Sequence, residues 1–382
     1  MKIPFNKPYL TGKEKEYIED ALQRGELSGD GYYTKKVTSL LENKFSLKRV
    51  LMTTSCTHAL EMAAQLINLK EGDEVIMPSF TFPSTANAVI KRGARPVFAE
   101  IKADTLNIDP TDIEKKITDK TRAVIPVHYA GIGCEMDEIT YLAEKHNLYI
   151  IEDAAQGVNA SYKDRPLGGI GNFGCYSFHG SKNYVSGEGG ALVLNNCNES
   201  IRDRAEIIRE KGTNRARFLR GEVDKYTWVD KGSSYLPSDL LMAVLYAQLQ
   251  EMDKIKEKRK IIYNRYYNSL KQYLDYSFLD SIAHVPEGRD SNYHIFYLKF
   301  NNGQLRDLVL DRLKQKGISA TFHYIPLHCS PMGQKLGYKA DDLAVTYEVG
   351  ATILRLPLYP ELTSNQLTYI IENITGIFEE LS

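Results

Sequence analysis

Between about Val50 and Leu194 the chain repeats one rhythm: a short apolar run rich in β-branched residues, a turn, then a stretch of helical period. Glu74–Met77, Pro96–Ala99, Ala123–Val127 and Leu148–Ile151 read as strands, and Thr57–Leu69, Ser84–Arg92 and Met136–His146 as the helices between them. Alternation of this kind builds βαβ units, and therefore an α/β fold whose mainly parallel sheet is covered on both faces. Ligands of such sheets lie beyond the carboxyl ends of the strands, so chemistry is expected just after each apolar run.

From Gly171 to Asn195 the helices drop out, and Phe173–Phe178 and Gly190–Leu194 follow each other like a hairpin. Ser238-Asp239 reads as the start of one long helix reaching about Tyr273, with the charge run Glu251–Lys260 as its solvated face. A strand at Tyr293–Phe300, a helix at Gln304–Lys316, a strand at Ser319–Tyr324 and a closing helix at Asn365–Leu381 have the α+β order of a smaller domain. The expected division is a large α/β domain over residues 1–250, with an N-terminal arm over 1–35, and a small C-terminal α+β domain over 251–382.

Composition narrows the function classes. At 382 residues the chain holds two or three cores, and 43% hydrophobic with 25% charged residues is ordinary for a folded protein. Its 48 basic and 49 acidic residues nearly cancel, so no bulk field draws it to nucleic acid or an anionic bilayer. Any anion must be held by a local site. Five scattered cysteines without a C-x-x-C spacing fit a reducing cytoplasm, and no run approaches the roughly 18 apolar residues of a membrane span. The expectation is a cytoplasmic enzyme or binding protein with a small-molecule ligand.

Four strand ends carry the candidate chemistry. After Leu148–Ile151 comes Glu152-Asp153-Ala154-Ala155-Gln156, where Asp153 is placed to enter the ligand crevice, although in isolation a helix cap is the better explanation of it. After the strand at 173–178 comes His179-Gly180-Ser181-Lys182-Asn183-Tyr184, with Lys182 on a loop next to Gly187-Glu188-Gly189-Gly190. Thr53-Thr54-Ser55-Cys56-Thr57 places small hydroxyl residues at a helix N-terminus, which is the minimum for holding a phosphate without net charge. Ser79-Phe80-Thr81-Phe82 ends the next strand with an aromatic able to cover a planar ring. A phosphate cradle, an aromatic, a carboxylate and an amine are together what pyridoxal 5'-phosphate requires.

The sequence resembles the nucleotide-sugar aminotransferases of the DegT type. The matching pieces are Glu152 to Gln156, Ser177 to Lys182, Gly187 to Gly190, Ser238-Asp239-Leu240 and His323-Tyr324-Ile325-Pro326-Leu327-His328. The resemblance implies the type I aspartate aminotransferase fold, a pyridoxal phosphate-dependent transferase fold with a seven-stranded sheet. It is nearest to the dTDP-4-amino-4,6-dideoxygalactose transaminase subgroup, through Leu27-Ser28-Gly29-Asp30-Gly31, Val127 to Gly131 and Glu210 to Arg215.

Carried over residue by residue, the resemblance makes Lys182 the Schiff-base lysine and general base and sets Asp153 against the pyridine nitrogen. It puts Gln156 at the phenolic oxygen, Phe82 on the ring, and Cys56, Thr57 and Ser177 at the phosphate. Many members reach the neighbouring subunit's phosphate through an asparagine before the Tyr of a G-x-N-Y segment; here Gly232-Ser233-Ser234-Tyr235 offers Ser234 instead. His323 and Tyr324 are implied to border the sugar. Arg215 and Tyr226 lie in a cation and aromatic block suited to a nucleotide diphosphate.

The implied reaction moves the amino group of L-glutamate to a dTDP-4-keto-6-deoxyhexose in a homodimer with shared sites. Three questions stay open from the residues: transfer at C3 or with the opposite C4 stereochemistry, a non-catalytic nucleotide-sugar binding role, and the glycan served, whether lipopolysaccharide O-antigen, enterobacterial common antigen or a secondary metabolite. His323 and His328 are awkwardly spaced for one metal, and no metal is expected.

Overall fold

The computed structural model describes residues 1–381. Seven strands form the main sheet: β1 (Val50–Thr53), β2 (Glu74–Pro78), β3 (Arg95–Ala99), β4 (Thr121–Val124), β5 (Tyr149–Asp153), β6 (Phe173–Ser177) and β7 (Gly190–Leu194). Their order is β1-β7-β6-β5-β4-β2-β3. β2 pairs in parallel with β3 and β4, as do β4 with β5 and β5 with β6, while β7 runs antiparallel to both its neighbours. The expected hairpin-like departure is thus the β6–β7 pair.

The strands are continuous apolar runs because both faces are buried. Met52, Ile76, Val124, Tyr176 and Val193 pack on one side with residues of helices Tyr32–Phe45, Met136–His146 and Asp239–Gln250. Leu51, Val75, Met77, Ile151 and Leu192 pack on the other with residues of helices Cys56–Leu66 and Pro83–Ile90. The alternation along each strand assigns its neighbours to opposite cores.

A second antiparallel sheet, β8 (Leu279–Ile282), β9 (Phe296–Phe300) and β10 (Ile353–Leu356), forms another core with helices Gly303–Gln315 and Ser364–Leu381. Here the sequence reading needs correction. The segment 319–324 is not a strand; it makes one bridge, Thr321 to Arg355, and the third strand is Ile353–Leu356, which emerges directly from a helix and stops at Pro357. The strand expected from Tyr293 begins at Phe296, because Tyr293 has a left-handed φ of 54°. The long helix is two, Asp239–Gln250 and Met252–Leu270, broken at Glu251. Its charge run is solvated except at Arg259, which is 3% exposed and donates to the carbonyls of Tyr293, His294 and Leu358 at 3.0, 2.8 and 3.0 Å.

The N-terminal arm packs in both directions. Residues near the start join the smaller sheet's core, with Ile3 bridged to Ile318 and Lys7 paired to Glu361 at 2.7 Å. Helices Glu14–Arg24 and Tyr32–Phe45 pack on Asp239–Gln250. The second of these starts at Gly31, which offers no side-chain cap, and the cap comes from Asp239 instead. The buried Asp239 carboxylate accepts from Tyr33 N at 3.0 Å, Thr34 N at 2.7 Å and Thr34 Oγ1 at 2.7 Å. A Cβ on Gly31 would sit 2.6 Å from the Asp239 carboxyl carbon, so the approach needs glycine. Asp239→Ala is expected to cost about 2–3 kcal/mol, since it strands two buried N–H donors and a hydroxyl. Urea unfolding checks this, as a lower midpoint with unchanged slope.

Candidate active site

The ends of β1, β2, β5 and β6 open into a cavity of about 530 Å³. It gathers Cys56, Thr57, Phe82, Asp153, Gln156, Ser177, Lys182, His323 and Tyr324 from segments distant in sequence.

One end is a helix N-terminus. Ser55 caps Cys56–Leu66 by accepting from His58 N at 3.2 Å, which leaves the amides of Cys56 and Thr57 directed out of the first turn. Thr57 Oγ1 lies 2.7 Å from Ser84 Oγ, and the Ser177 hydroxyl borders the same space. Gly190 packs directly beneath: a Cβ there would lie 2.3 Å from the Ser55 carbonyl carbon and 2.4 Å from Cys56 N. Only glycine lets β7 approach this turn. Gly190→Ala is expected to destabilise the protein by about 1–3 kcal/mol and to displace the turn that offers those amides. Thermal unfolding with and without added inorganic phosphate reads both effects.

At the end of β5, Asp153 is 5% exposed and has no cation within ion-pair distance among the described residues. Thr85 Oγ1 donates to its Oδ2 at 2.7 Å and Ala155 N to its Oδ1 at 3.2 Å. Burial pushes its carboxyl pKa above the usual range, against the pull of those two donors and of Lys182. Beneath it, Glu152 is completely buried, 2.9 Å from His128 Nε2, and accepts from the amides of Gly168, Ile170 and Gly171. The chain is therefore pinned one residue before the Asp153 carboxylate.

Lys182 rises from the loop between β6 and β7, its amide bonded to His179 O at 2.9 Å. Enclosure by protein pushes its ammonium pKa below the ordinary value, only partly offset by Cys56 and Asp153. A shift in this direction eases loss of the proton that an amine must shed to act as a nucleophile. Gln156 accepts from Ala130 N at 2.7 Å through Oε1, so its amide nitrogen is turned to Tyr324 Oη at 3.1 Å with a second hydrogen to spare. Phe82 is 60% exposed despite its size, because it stands at the cavity wall rather than in the core. His323 Nδ1 is 3.2 Å from Tyr129 Oη, and burial, with Arg355 and Lys182 nearby, holds its pKa well below normal. His328 turns away, to Ser79 Oγ at 2.6 Å.

These features fit pyridoxal phosphate. A buried acid lacks a cation among the described residues, an amine borders the same cavity, helix amides end it, and an aromatic side chain remains uncovered.

Three candidates are not brought to this cavity within one chain. Ser234 is exposed and bridged to Glu210, Arg215 lies 3.8 Å from Glu210, and Tyr226 packs tilted against Phe218 with ring centres 5.6 Å apart. The cavity also holds residues that sequence reasoning passed over: Phe5, Asn6, Arg259, His294 and Arg355. Arg355 has a buried Nε without a partner and its guanidinium 4.7 Å from the Phe5 ring centre. Arg259 was hidden in a run of charges, whereas no local pattern marked the others.

Sheet order, a lysine on the β6–β7 loop and a carboxylate ending β5 define a pyridoxal phosphate-dependent transferase fold. The chain belongs to the DegT/DnrJ/EryC1/StrS aminotransferase family, whose model matches residues 8–375. It is 32% identical over 388 residues to the GDP-perosamine synthase of Escherichia coli O157:H7, covering 99% of both chains. It is also 32% identical over 383 residues to the spore coat polysaccharide biosynthesis protein SpsC of Bacillus subtilis, covering 98% of this chain and 97% of that one. Among solved structures, it matches the PLP-form of the putative sugar aminotransferase Spr1654 from Streptococcus pneumoniae with a TM-score of 0.91 at 27% identity, over 100% of each chain.

Proposed function

We propose that the protein transfers the amino group of L-glutamate to the C4 ketone of dTDP-4-keto-6-deoxyglucose, giving dTDP-4-amino-4,6-dideoxygalactose and 2-oxoglutarate. The observation that carries the reaction class is Lys182 and Asp153 bordering one cavity on an aminotransferase fold. The sugar and its configuration rest on the resemblance of the 27–31, 127–131 and 210–215 segments.

When bound, pyridoxal 5'-phosphate supplies an electron sink for the carbon that gains and loses a proton. The chain's own groups do the rest. Lys182 would hold the cofactor through its ε-amine, and the same amine would serve as acid and base for the carbon that exchanges a proton. Asp153 would keep a proton on the ring nitrogen, the Thr85 and Ala155 donors opposing the effect of burial on its carboxylate. Amides of Cys56 and Thr57 with the Ser177 hydroxyl would take the phosphate, the spare Gln156 hydrogen would take the phenolic oxygen, and Phe82 would cover the ring. His323 and Tyr324 border the sugar.

The same reading divides the chain at the helix break near Glu251, into residues 1–250 and 251–382. It makes the protein a homodimer in which Ser234, Arg215 and Tyr226 serve the partner's site, at the phosphate and the nucleotide respectively. Exposed Trp228 and Leu219 in that segment support a covered surface there. Sedimentation equilibrium is expected to give twice the chain mass. A reducing cytoplasmic setting is supported by five unpaired cysteines.

Incubation with pyridoxal phosphate, L-glutamate and dTDP-4-keto-6-deoxyglucose tests the reading directly. Mass spectrometry should show an amino sugar nucleotide, and proton couplings should place an axial amine at C4. An equatorial amine, or turnover only with a 3-keto isomer, would replace the substrate assignment while leaving the reaction class intact.

A further inference from the structure

Asn183 and His294 flank Lys182 and have no part in the chemistry above. The backbone carbonyl of Asn292 can only accept, and Asn183 Nδ2 donates to it at 2.9 Å. That turns Asn183 Oδ1 toward His294, 2.8 Å from Nδ1. An amide oxygen also only accepts, so Nδ1 carries the ring proton. In a neutral ring Nε2 is then a bare acceptor.

The surroundings keep the ring neutral. Burial first, and then Lys182, Arg259, Arg355 and His323 facing it, hold the pKa of His294 well below the ordinary histidine value. Among the described residues no protein atom hydrogen-bonds Nε2. His294 and Lys182 line the main cavity together, and they also share a small second cavity with Asn183, Tyr184 and Asn292. The Lys182 amine has no hydrogen-bond partner of its own among the described residues, and the titratable groups that face it are Cys56, Asp153, Arg355, His294 and His323. An acceptor with its tautomer fixed and a donor without a partner thus face the same space.

We infer that His294 is a positioning residue for Lys182: its Nε2 accepts from the ε-amine whenever the lysine is not covalently attached, and Asn183 fixes the ring for that task. The inference rests on Lys182 being the attachment lysine. It assigns a purpose to the Lys182-Asn183 pair, since the residue next to the amine orients the group that receives it.

The test uses the cofactor-free full-length protein and trace labelling with acetic anhydride across pH, with the Lys182 peptide quantified by mass spectrometry. Loss of an acceptor destabilises the ammonium form, so His294→Phe should lower the apparent pKa of Lys182 by about one unit and raise its labelling near neutral pH about tenfold. His294→Gln, which keeps an acceptor, should stay within about twofold of wild type. Asn183→Ala should shift labelling in the same direction by less, and it replaces the phenylalanine variant if that chain does not fold. In the loaded enzyme His294→Phe should slow the half-reaction with L-glutamate while leaving its KM nearly unchanged. Unchanged labelling in both folded variants would overturn the inference, and so would a raised Lys182 pKa, which would make His294 a cation. Failure of the wild-type protein to take up pyridoxal phosphate would instead sink the functional reading, whatever the labelling shows.

Discussion

Lys182→Ala is expected to give a folded, colourless protein whose transamination is slower by about ten-thousandfold or more. The expectation follows from position. Lys182 is the amine of the cavity that the structure places near Asp153, and its burial lowers the cost of losing the proton that a nucleophile must shed. Arginines 259 and 355 border the same space but have no nucleophilic lone pair to offer. Removing the side chain takes away covalent attachment and proton transfer together, and those effects do not add as independent losses. The measurement is an absorbance spectrum after dialysis against pyridoxal phosphate, followed by single-turnover assay with L-glutamate. Borohydride reduction of wild-type holoenzyme should tag Lys182 alone; a tag on another lysine would end the assignment.

Asp153→Asn is expected to separate binding from chemistry. Lys182 and the helix amides are untouched, so the cofactor should still be retained, while turnover falls by about a hundred- to thousandfold. The physical reason is that an amide does not hold a proton on the ring nitrogen as a carboxylate does. The substitution also disturbs its own surroundings. Thr85 Oγ1 and Ala155 N both donate to the carboxylate, one to each oxygen, and an amide presents an acceptor to only one of them. Unfolding and turnover must therefore be read together. A variant with normal stability and turnover within about tenfold of wild type would show that Asp153 is a capping residue and no more.

Much of the large sheet was legible because its strands are apolar on both faces and its helices keep a clear period. Runs such as Val75-Ile76-Met77 have no other stable environment. The smaller sheet was less so. Ile353–Leu356 follows a helix without a turn signal, and the extended 319–324 segment has strand-like composition yet finds only one partner bridge. Pairing is settled by neighbours far along the chain, which local composition does not record. Candidate residues at strand ends were readable from position alone, as Asp153 after β5 illustrates. Arg259, His294 and Arg355 were not: a buried guanidinium held by carbonyls, as Arg259 is, looks in sequence like any surface charge, and nothing local marks the other two. The N-terminal helix Tyr32–Phe45 was missed for a related reason: its cap, Asp239, is supplied from 205 residues away.

The cavity joins Lys182, Arg259 and Arg355 on a molecule whose overall charge is nearly balanced. The two buried guanidiniums, set against the Asp153 and Glu188 carboxylates of the same lining, give that space a local pull on anionic ligands. Capture of a nucleotide sugar or a dicarboxylate should accordingly weaken with rising ionic strength, even though the protein as a whole would barely migrate in an electric field near neutrality.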